Sequence, residues 1–449
     1  MNIRIRRPAL RTGTALALTT VLALTATACG DDGSGAGGDK GDEGSGKGEI
    51  TFWDNNTAVR RDVWMEIIKD FEKANPGIKV KYVGIPAESV QSKYDTAIQG
   101  GGLPDVGGVG TAMLAGIAAQ NALEPLDDRV ATSALNGKLN DAFVESVKAA
   151  GGSGSSMFTV PTSANNGVLY YRTDLFKSAG LDAPTTWRKF FDAAGKLTDT
   201  GKNRFGYTIR GGEGSIAQAL DVMYGQSGIT SFWDADNTKT TVNDPKNVAA
   251  LEKYAGLYKK ATPSADVNND FTKMVAQFDS GQIGMLSHNL GSYGDHVKAF
   301  GTKFRGLPNP TGDDGTRVQV SNPVDGLGLF KSSKNKQAAW KFIEFAASHA
   351  ENSKWNESAK QIPANTEAAK DAWVQKSEPT RLAAEALASG STKIVQLPYY
   401  LPDWNTISKA ENEDDLQKVL LGKESSKQFL DRLADQLNKA QDEWKAQAK

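Results

Sequence analysis

Residues 50–82 read ITFWDNNTAVRRDVWMEIIKDFEKANPGIKVKY, and three patterns follow one another in that stretch. Ile50 to Trp53 is a short run of β-branched and aromatic residues, which predicts a strand. Val63, Trp64, Ile67, Ile68, Phe71 and Ala74 recur at three- and four-residue spacing and so share one face of a helix. Asn75-Pro76-Gly77 stops that helix, because proline cannot donate to the next turn and glycine favours the turn that follows. Ile78, Val80 and Tyr82 then alternate with Lys79 and Lys81, the period of a half-buried strand. A second helix is predicted from about Ser89 to Ile98. Strand, helix, strand, helix predicts an α/β architecture with a mainly parallel sheet and crossover connections.

Farther along, Gly100-Gly101-Gly102-Leu103-Pro104-Asp105-Val106 leads into the stretch Gly107 to Gly110, where missing side chains let backbone approach a ligand or a neighbouring element. That turn falls at the carboxyl end of a strand, the edge where open α/β sheets bind ligands. At the other end of the chain, Phe429, Leu433, Leu437, Ala440 and Trp444 have helical spacing and predict a terminal packing helix.

The start of the chain is of a different kind. Arg4, Arg6, Arg7 and Arg11 precede an apolar stretch from about Thr14 to Leu24, then Ala26-Thr27-Ala28 and Cys29. This reads as a secretory signal over 1–28, since the apolar stretch is about half of what spans a membrane. Cys29 is the single cysteine of the chain, and the run Leu24 to Cys29 resembles a bacterial lipobox, with Ala26 where Leu is commoner. That resemblance implies a diacylated (palmitate-type) N-terminal cysteine, anchored to the outer face of the cytoplasmic membrane. Residues 29–48 hold almost no apolar side chains and predict a flexible tether. Gly41 with Gly46-Lys47 only approximates a phosphate loop, because Gly48 stands where a hydroxyl residue would hold magnesium.

Six segments, in order, resemble the extracellular solute-binding proteins of family 1, the maltose-binding-protein-like group. They are Phe71 to Gly77, Leu103 to Val106, Pro161 through Tyr171 to Phe176, Pro184 to Trp187, Phe278 to Met285, and Ala338 to Phe345. Arg172 departs from the pattern, standing where Asn or Asp is usual and removing a capping side chain. The resemblance implies a periplasmic-binding-protein type fold: two α/β lobes joined by hinge strands, with the ligand cleft between them. It puts crossings near Ser163, at Val324 to Gly326 and around Ala364, so that lobe 1 is 49–162 plus 325–364 and lobe 2 is 163–324 plus 365–449. It further implies capture of a sugar or oligosaccharide by lobe closure, delivery to the permease subunits of an ABC importer, and a monomer without cofactor or metal.

Sugars present hydroxyls at the ring edge and apolar C–H faces, so their sites combine aromatic platforms with polar partners. Trp53, Asp54 and Asn55 close the first strand, His288 and Asn289 follow Met285-Leu286, and Asp325 approaches the second hinge. The family resemblance adds Gly110 and Thr111 at the cleft rim and Asn165 where a relative carries a ligand-binding carboxylate. It also adds Tyr293 near a cleft aromatic, and Tyr400 and Trp404 in a loop that supplies stacking rings. Trp53 and Trp404 are expected as the platforms. Trp64, Trp187 and Trp340 read as packing residues.

Near-balanced charge without basic runs argues against a nucleic-acid partner. With His288, His296 and His349 as the histidines, and no Gly-x-Ser-x-Gly or His-Glu-x-x-His, nucleophilic and zinc catalysis lose support and no enzyme is expected. Alternatives stay open. Tyr170-Tyr171 and Tyr399-Tyr400 suit ferric iron, since phenolates favour hard cations. A polyamine is a further candidate, and a secreted glycosidase needs only two carboxylates. Abundant Trp and Asn would suit a chito-oligosaccharide.

Overall fold

The computed structural model describes residues 43–447 apart from 56–57, 87–88, 153–155 and 405. The signal, Cys29 and the first part of the tether lie outside the described residues. Its strands are β1 (Gly48–Asn55), β2 (Ile78–Ile85), β3 (Val106–Gly108), β4 (Thr159–Ala164), β5 (Gly167–Arg172), β6 (Phe205–Tyr207), β7 (Ile283–Asn289), β8 (Phe304–Leu307), β9 (Arg317–Val320), β10 (Val324–Leu329), β11 (Ile362–Pro363) and β12 (Thr392–Val395). Lobe 1 is built on a sheet of order β11-β4-β10-β3-β1-β2, and lobe 2 on a sheet of order β6-β7-β5-β8 with the pair β12-β9 beside it.

The opening stretch folds as its periodicity requires. Val63, Trp64, Ile67, Ile68 and Phe71 of the helix Ala58–Ala74 are buried, and so are Ile78 and Val80 of β2, with Lys79 and Lys81 exposed. Trp64 packs edge-on against Phe52 at 4.8 Å, and Phe71 against Phe342 at 5.2 Å. Trp187 and Trp340 are buried as expected. The terminal helix Ser426–Gln447 buries Phe429, Leu433 and Leu437 in the lobe 2 core, with Trp444 packed at its edge. Arg172 makes no capping bond; its guanidinium pairs with Asp174 at 2.6 Å and covers Phe300 at 4.2 Å.

Three expectations are corrected. The sheets are mixed: β1, β2 and β3 run parallel, but β10 is antiparallel to β3 and β4, and β5 is antiparallel to β7 and β8. The cause is the path of the chain. β4 leaves lobe 1 at the hinge and β10 returns there after the chain has built much of lobe 2, so β10 must run backwards beside it. The third crossing lies near Ser377, not Ala364. Residues expected in lobe 2 remain on lobe 1, where His349 meets Asp371 at 2.8 Å and Trp373 donates to Ser353 at 2.9 Å. Only with the helix Glu378–Ala388 does the chain reach lobe 2, where Gly306 of β8 lies so close to Pro379 that a side chain there would collide. The end of the tether is also held: the amide of Gln337 donates to the Glu43 carbonyl at 3.0 Å, and Arg129 pairs with Glu43 at 2.7 Å.

This path puts the carboxyl ends of β1, β3 and β4 at the hinge edge of lobe 1. In lobe 2, β5 starts at the hinge with Gly167 opposite Asn289, so β7 and its parallel neighbour β6 end there too. Two sets of strand ends thus face one another across the crossings, as ligand-binding α/β sheets require.

Asp266, fully buried in lobe 2, accepts from the Ile209 amide at 2.6 Å and from Asn269 at 2.9 Å, and no Lys or Arg pairs with it among the described residues. Burial pushes its carboxyl up to about 7. A carboxyl raised on folding binds its proton more tightly in the native state, so its stabilisation is present below the ordinary value of 3.8 and is lost as pH rises toward 7. The melting temperature of Asp266→Asn should therefore fall less between pH 5 and 8 than that of the parent; an equally steep fall would contradict this.

Candidate functional site

A cavity of about 310 Å³ opens where the two sets of strand ends meet. Its wall is built mainly by lobe 2. The segment after β6 gives Arg210; the helix Ser215–Ser227 gives Gln218 and Asp221; the start of the helix Phe271–Asp279 gives Phe271 and Met274; and the end of β7 gives Ser287, His288 and Asn289. Asn309, the crossing residues Ser321, Asn322 and Pro323, and the late residues Tyr399 and Trp404 complete it, with Ala112 contributed by lobe 1.

Each group is held from behind. Gln218 accepts from the Arg210 amide and from the Tyr254 hydroxyl, both at 2.8 Å, and donates to the Ser287 carbonyl at 3.1 Å. His288 lies 3.0 Å from the Ser292 hydroxyl and stacks 5.9 Å from Phe271. Burial first, then Arg210 and His296, hold His288 down to about 3, so it is a neutral partner at any physiological pH. Asp221 accepts from Asn309 at 2.6 Å and from the Val320 amide at 3.3 Å, and burial pushes it up to about 6. Asn166, buried in the β4–β5 crossing, accepts from Asn322 at 2.9 Å and Gln319 at 3.3 Å. The arrangement offers amide, hydroxyl and carboxylate partners beside three aromatic residues, the exposed Phe271 and the more covered Tyr399 and Trp404.

Of the residues expected from sequence, His288, Asn289 and Trp404 line this cavity. Trp404 is nevertheless 96 % covered in the sense that only 4 % of its surface is exposed, because Phe232 packs edge-on at 5.8 Å and Tyr399 at 6.1 Å. Trp53 does not line it. Its ring sits in the lobe 1 core, 5.6 Å from Tyr94 and capped by the Lys93 ammonium at 4.5 Å, so the expected platform is a packing residue. Asp54 is likewise engaged inside lobe 1: Arg60 grips both its oxygens at 3.2 Å and Trp64 donates at 2.8 Å. Asp54 is raised, burial outweighing Arg60. Asp325 shares the same Arg60 at 3.2 Å. Asn55 ends β1 opposite Ile85.

Gly110 and Thr111 start the helix Thr111–Ala119 and hold the second crossing: the Thr111 hydroxyl accepts from the Val324 amide at 3.0 Å. The preceding glycines serve packing as well, since a side chain on Gly108 would strike the Asp54 carboxylate. Asn165 lies in the first crossing with a buried side-chain oxygen that has no partner among the described residues. Tyr293 packs on Phe304 at 5.7 Å, and Tyr400 donates to Gln441 at 2.7 Å over Trp444, fastening the terminal helix instead of facing the cavity.

Arg210, Gln218, Asp221, Phe271 and Asn309 were not anticipated. Phe271, Met274 and Phe278 form a helical stripe that reads as core, yet the first turn projects past it and leaves Phe271 50 % exposed. The opposite fates of the two aromatic residues are measurable. In urea unfolding, Trp53→Ala should cost about 3–5 kcal/mol, whereas Phe271→Ala should cost about 1 kcal/mol or less. The reverse order would contradict both placements.

A family model described as bacterial extracellular solute-binding protein matches residues 57–353. A putative binding protein of Brucella abortus is 26 % identical over 369 residues, spanning 80 % of this chain and 84 % of that one. The mannitol-binding protein of Pseudomonas aeruginosa is 26 % identical over 313 residues, 67 % of this chain and 69 % of its own. Among solved structures, an ABC substrate-binding protein of Listeria monocytogenes in complex with cycloalternan superposes with a TM-score of 0.73 at 26 % identity, covering 87 % of this chain and 98 % of that chain. Family match and shared two-lobed fold agree, and the chain belongs to the bacterial extracellular solute-binding proteins.

Proposed function

We propose that this protein is the substrate-binding lipoprotein of an ABC importer, capturing a sugar, oligosaccharide or polyol in the interlobe cavity and delivering it to the permease without catalysis. The observation that carries the reading is the cavity wall, where exposed Phe271 and the edges of Tyr399 and Trp404 stand beside Gln218, Asn289, Asn309 and Asn322. That is the pairing of apolar faces with hydrogen-bond partners that a sugar ring demands. The relatives named for mannitol and for a cycloalternan complex support the same class of ligand. A chito-oligosaccharide is one candidate within it.

The charges in the wall argue against an anionic solute. Asp221 and Glu213 outnumber Arg210, and the amide of Gly214, at the start of the helix Ser215–Ser227, is already taken by Glu413 at 2.7 Å. The tyrosine pairs do not favour ferric iron: Tyr170 donates to the Asn289 carbonyl at 3.1 Å, Tyr399 to the Ser321 carbonyl at 3.0 Å and Tyr400 to Gln441. Burial raises all three phenols, Tyr400 to about 12, so phenolates are not at hand. For a glycosidase, Asp221 and Glu213 are the cavity carboxylates among the described residues, and Glu213 is exposed where a hydrolase would shield its acid. A cationic solute such as a polyamine is the second reading, because Asp221 has no cation partner among the described residues.

Two experiments test the reading. A thermal-shift panel of mono- and oligosaccharides, mannitol, glycerol 3-phosphate and spermidine should single out a saccharide or polyol; at 100 times its dissociation constant such a ligand adds about 2.7 kcal/mol of stability. A shift with glycerol 3-phosphate or spermidine alone would overturn it. The anchor is tested separately: Cys29→Ala should move the protein from the membrane fraction to the medium, since Cys29 at the lipobox-like run is the proposed lipid attachment. A processed mutant retained on the membrane would count against lipidation.

A further inference from the structure

The carboxylates near the crossings fall into two groups. Asp54 and Asp325, on lobe 1, share the guanidinium of Arg60, which lies 3.2 Å from each and stacks 4.7 Å above Trp355. Asp221, in the cavity wall of lobe 2, has no Lys, Arg or His within ion-pair distance among the described residues; its partners are the Asn309 amide at 2.6 Å and the Val320 backbone at 3.3 Å. An ionised carboxylate accepts about four hydrogen bonds, so roughly half its capacity is unused. Nothing overhangs it from β5, where Gly167 also lines the cavity and even an added Cβ would stand 3.7 Å from the Asp221 oxygen.

Arg210 shares the cavity but is turned away from this carboxylate. Its side chain donates back to the Glu213 carbonyl and lies 5.7 Å from the Phe271 ring. His288 is neutral and supplies no charge. The cavity therefore carries an uncompensated negative charge beside Tyr399 and Trp404. Burying a carboxylate without a partner is costly, and a buried one is kept where a ligand supplies the missing charge or hydrogen bonds. The value of about 6 leaves Asp221 mostly ionised at neutral pH.

We propose that Asp221 makes this cleft selective for a saccharide or polyol bearing a protonated amino group, whose ammonium supplies the cation partner that the carboxylate lacks in the protein. The inference rests on the saccharide reading above. It favours an amino saccharide over a bare polyamine because the wall also holds the amides of Asn289 and Asn322, which can partner hydroxyls that a polyamine does not have. It favours a free amine over an acetamido group because acetylation removes the charge and keeps the nitrogen.

The test is a calorimetric comparison of glucosamine, N-acetylglucosamine and glucose, and of their β-1,4-linked disaccharides, with spermidine as a further probe. Wild-type protein should bind the amino compounds about 10- to 100-fold more tightly than the acetylated or hydroxyl ones. Asp221→Asn should reduce that preference to about threefold or less, with a melting curve showing that the variant is folded. If the variant does not fold, the wild-type comparison alone decides. Equal or tighter binding of glucose or N-acetylglucosamine would overturn the proposal and leave the saccharide reading standing. Binding of spermidine alone would overturn both, and binding of none of the probes would overturn the proposal and leave the saccharide reading to the thermal-shift panel.

Discussion

Asn166 is an amide buried in the β4–β5 crossing, and it carries constraints from three parts of the chain at once. Its side-chain oxygen accepts from Asn322 and Gln319 beside the second crossing, and its backbone carbonyl accepts from the Leu290 amide just past β7 at 3.2 Å. A buried polar group left unpaired costs more than a paired one gains, so these bonds fix how the crossings sit against each other. Asn322 also lines the cavity, and Leu290 directly follows His288 and Asn289. Whatever a ligand does to these side chains is felt where the lobes are joined. In the proposed mechanism that link lets a pocket made mostly by one lobe move the other, the ligand gaining contacts with lobe 1 on closure.

The electrostatics divide along the same line. Lobe 1 engages its strand-end carboxylates internally, with one guanidinium, Arg60, held between Asp54 and Asp325 and above Trp355. Lobe 2 gives Asp221 hydrogen bonds from Asn309 and Val320 but no cationic partner among the described residues, and leaves His288 neutral. A site that must bind and release a solute is better served by partners whose unmet hydrogen bonds only the ligand completes than by ion pairs already satisfied within the protein.

How much of this could be read from the chain depended on whether the signal was local. The helical face from Val63 to Phe71 and the alternation from Ile78 to Tyr82 are set by burial on one side, and both appear in the sequence as periodicities, though Ala74, at the helix end, is exposed. Strand direction is not local: β10 runs against β3 because the chain has returned from the other lobe, and nothing in Val324 to Leu329 records that journey. The third crossing falls later than its local pattern suggests for a similar reason, since the hydrogen bond of His349 with Asp371 joins segments that local patterning leaves apart. Trp53 and Phe271 show the same limit at the site. A strand-end tryptophan looks alike whether it faces a cleft or Tyr94, and a phenylalanine one turn before Met274 looks like core until the helix start is seen to project. Asp221 sits among the apolar residues of its helix with no motif around it, and only Asn309 and Val320, distant in sequence, show that it faces a cavity.

The central claim is that ligand in the lobe 2 wall draws the lobes together about the crossings. It is tested most directly by the distance between spin labels on one exposed site of each lobe, Glu145→Cys and Glu252→Cys, in a chain lacking the anchor cysteine. Pulsed spectroscopy should show a broad or long interlobe distance without ligand. A single shorter distance should replace it at saturation with the saccharide or polyol that stabilises the protein. An interlobe distance that stays the same when the cavity is filled would contradict the account.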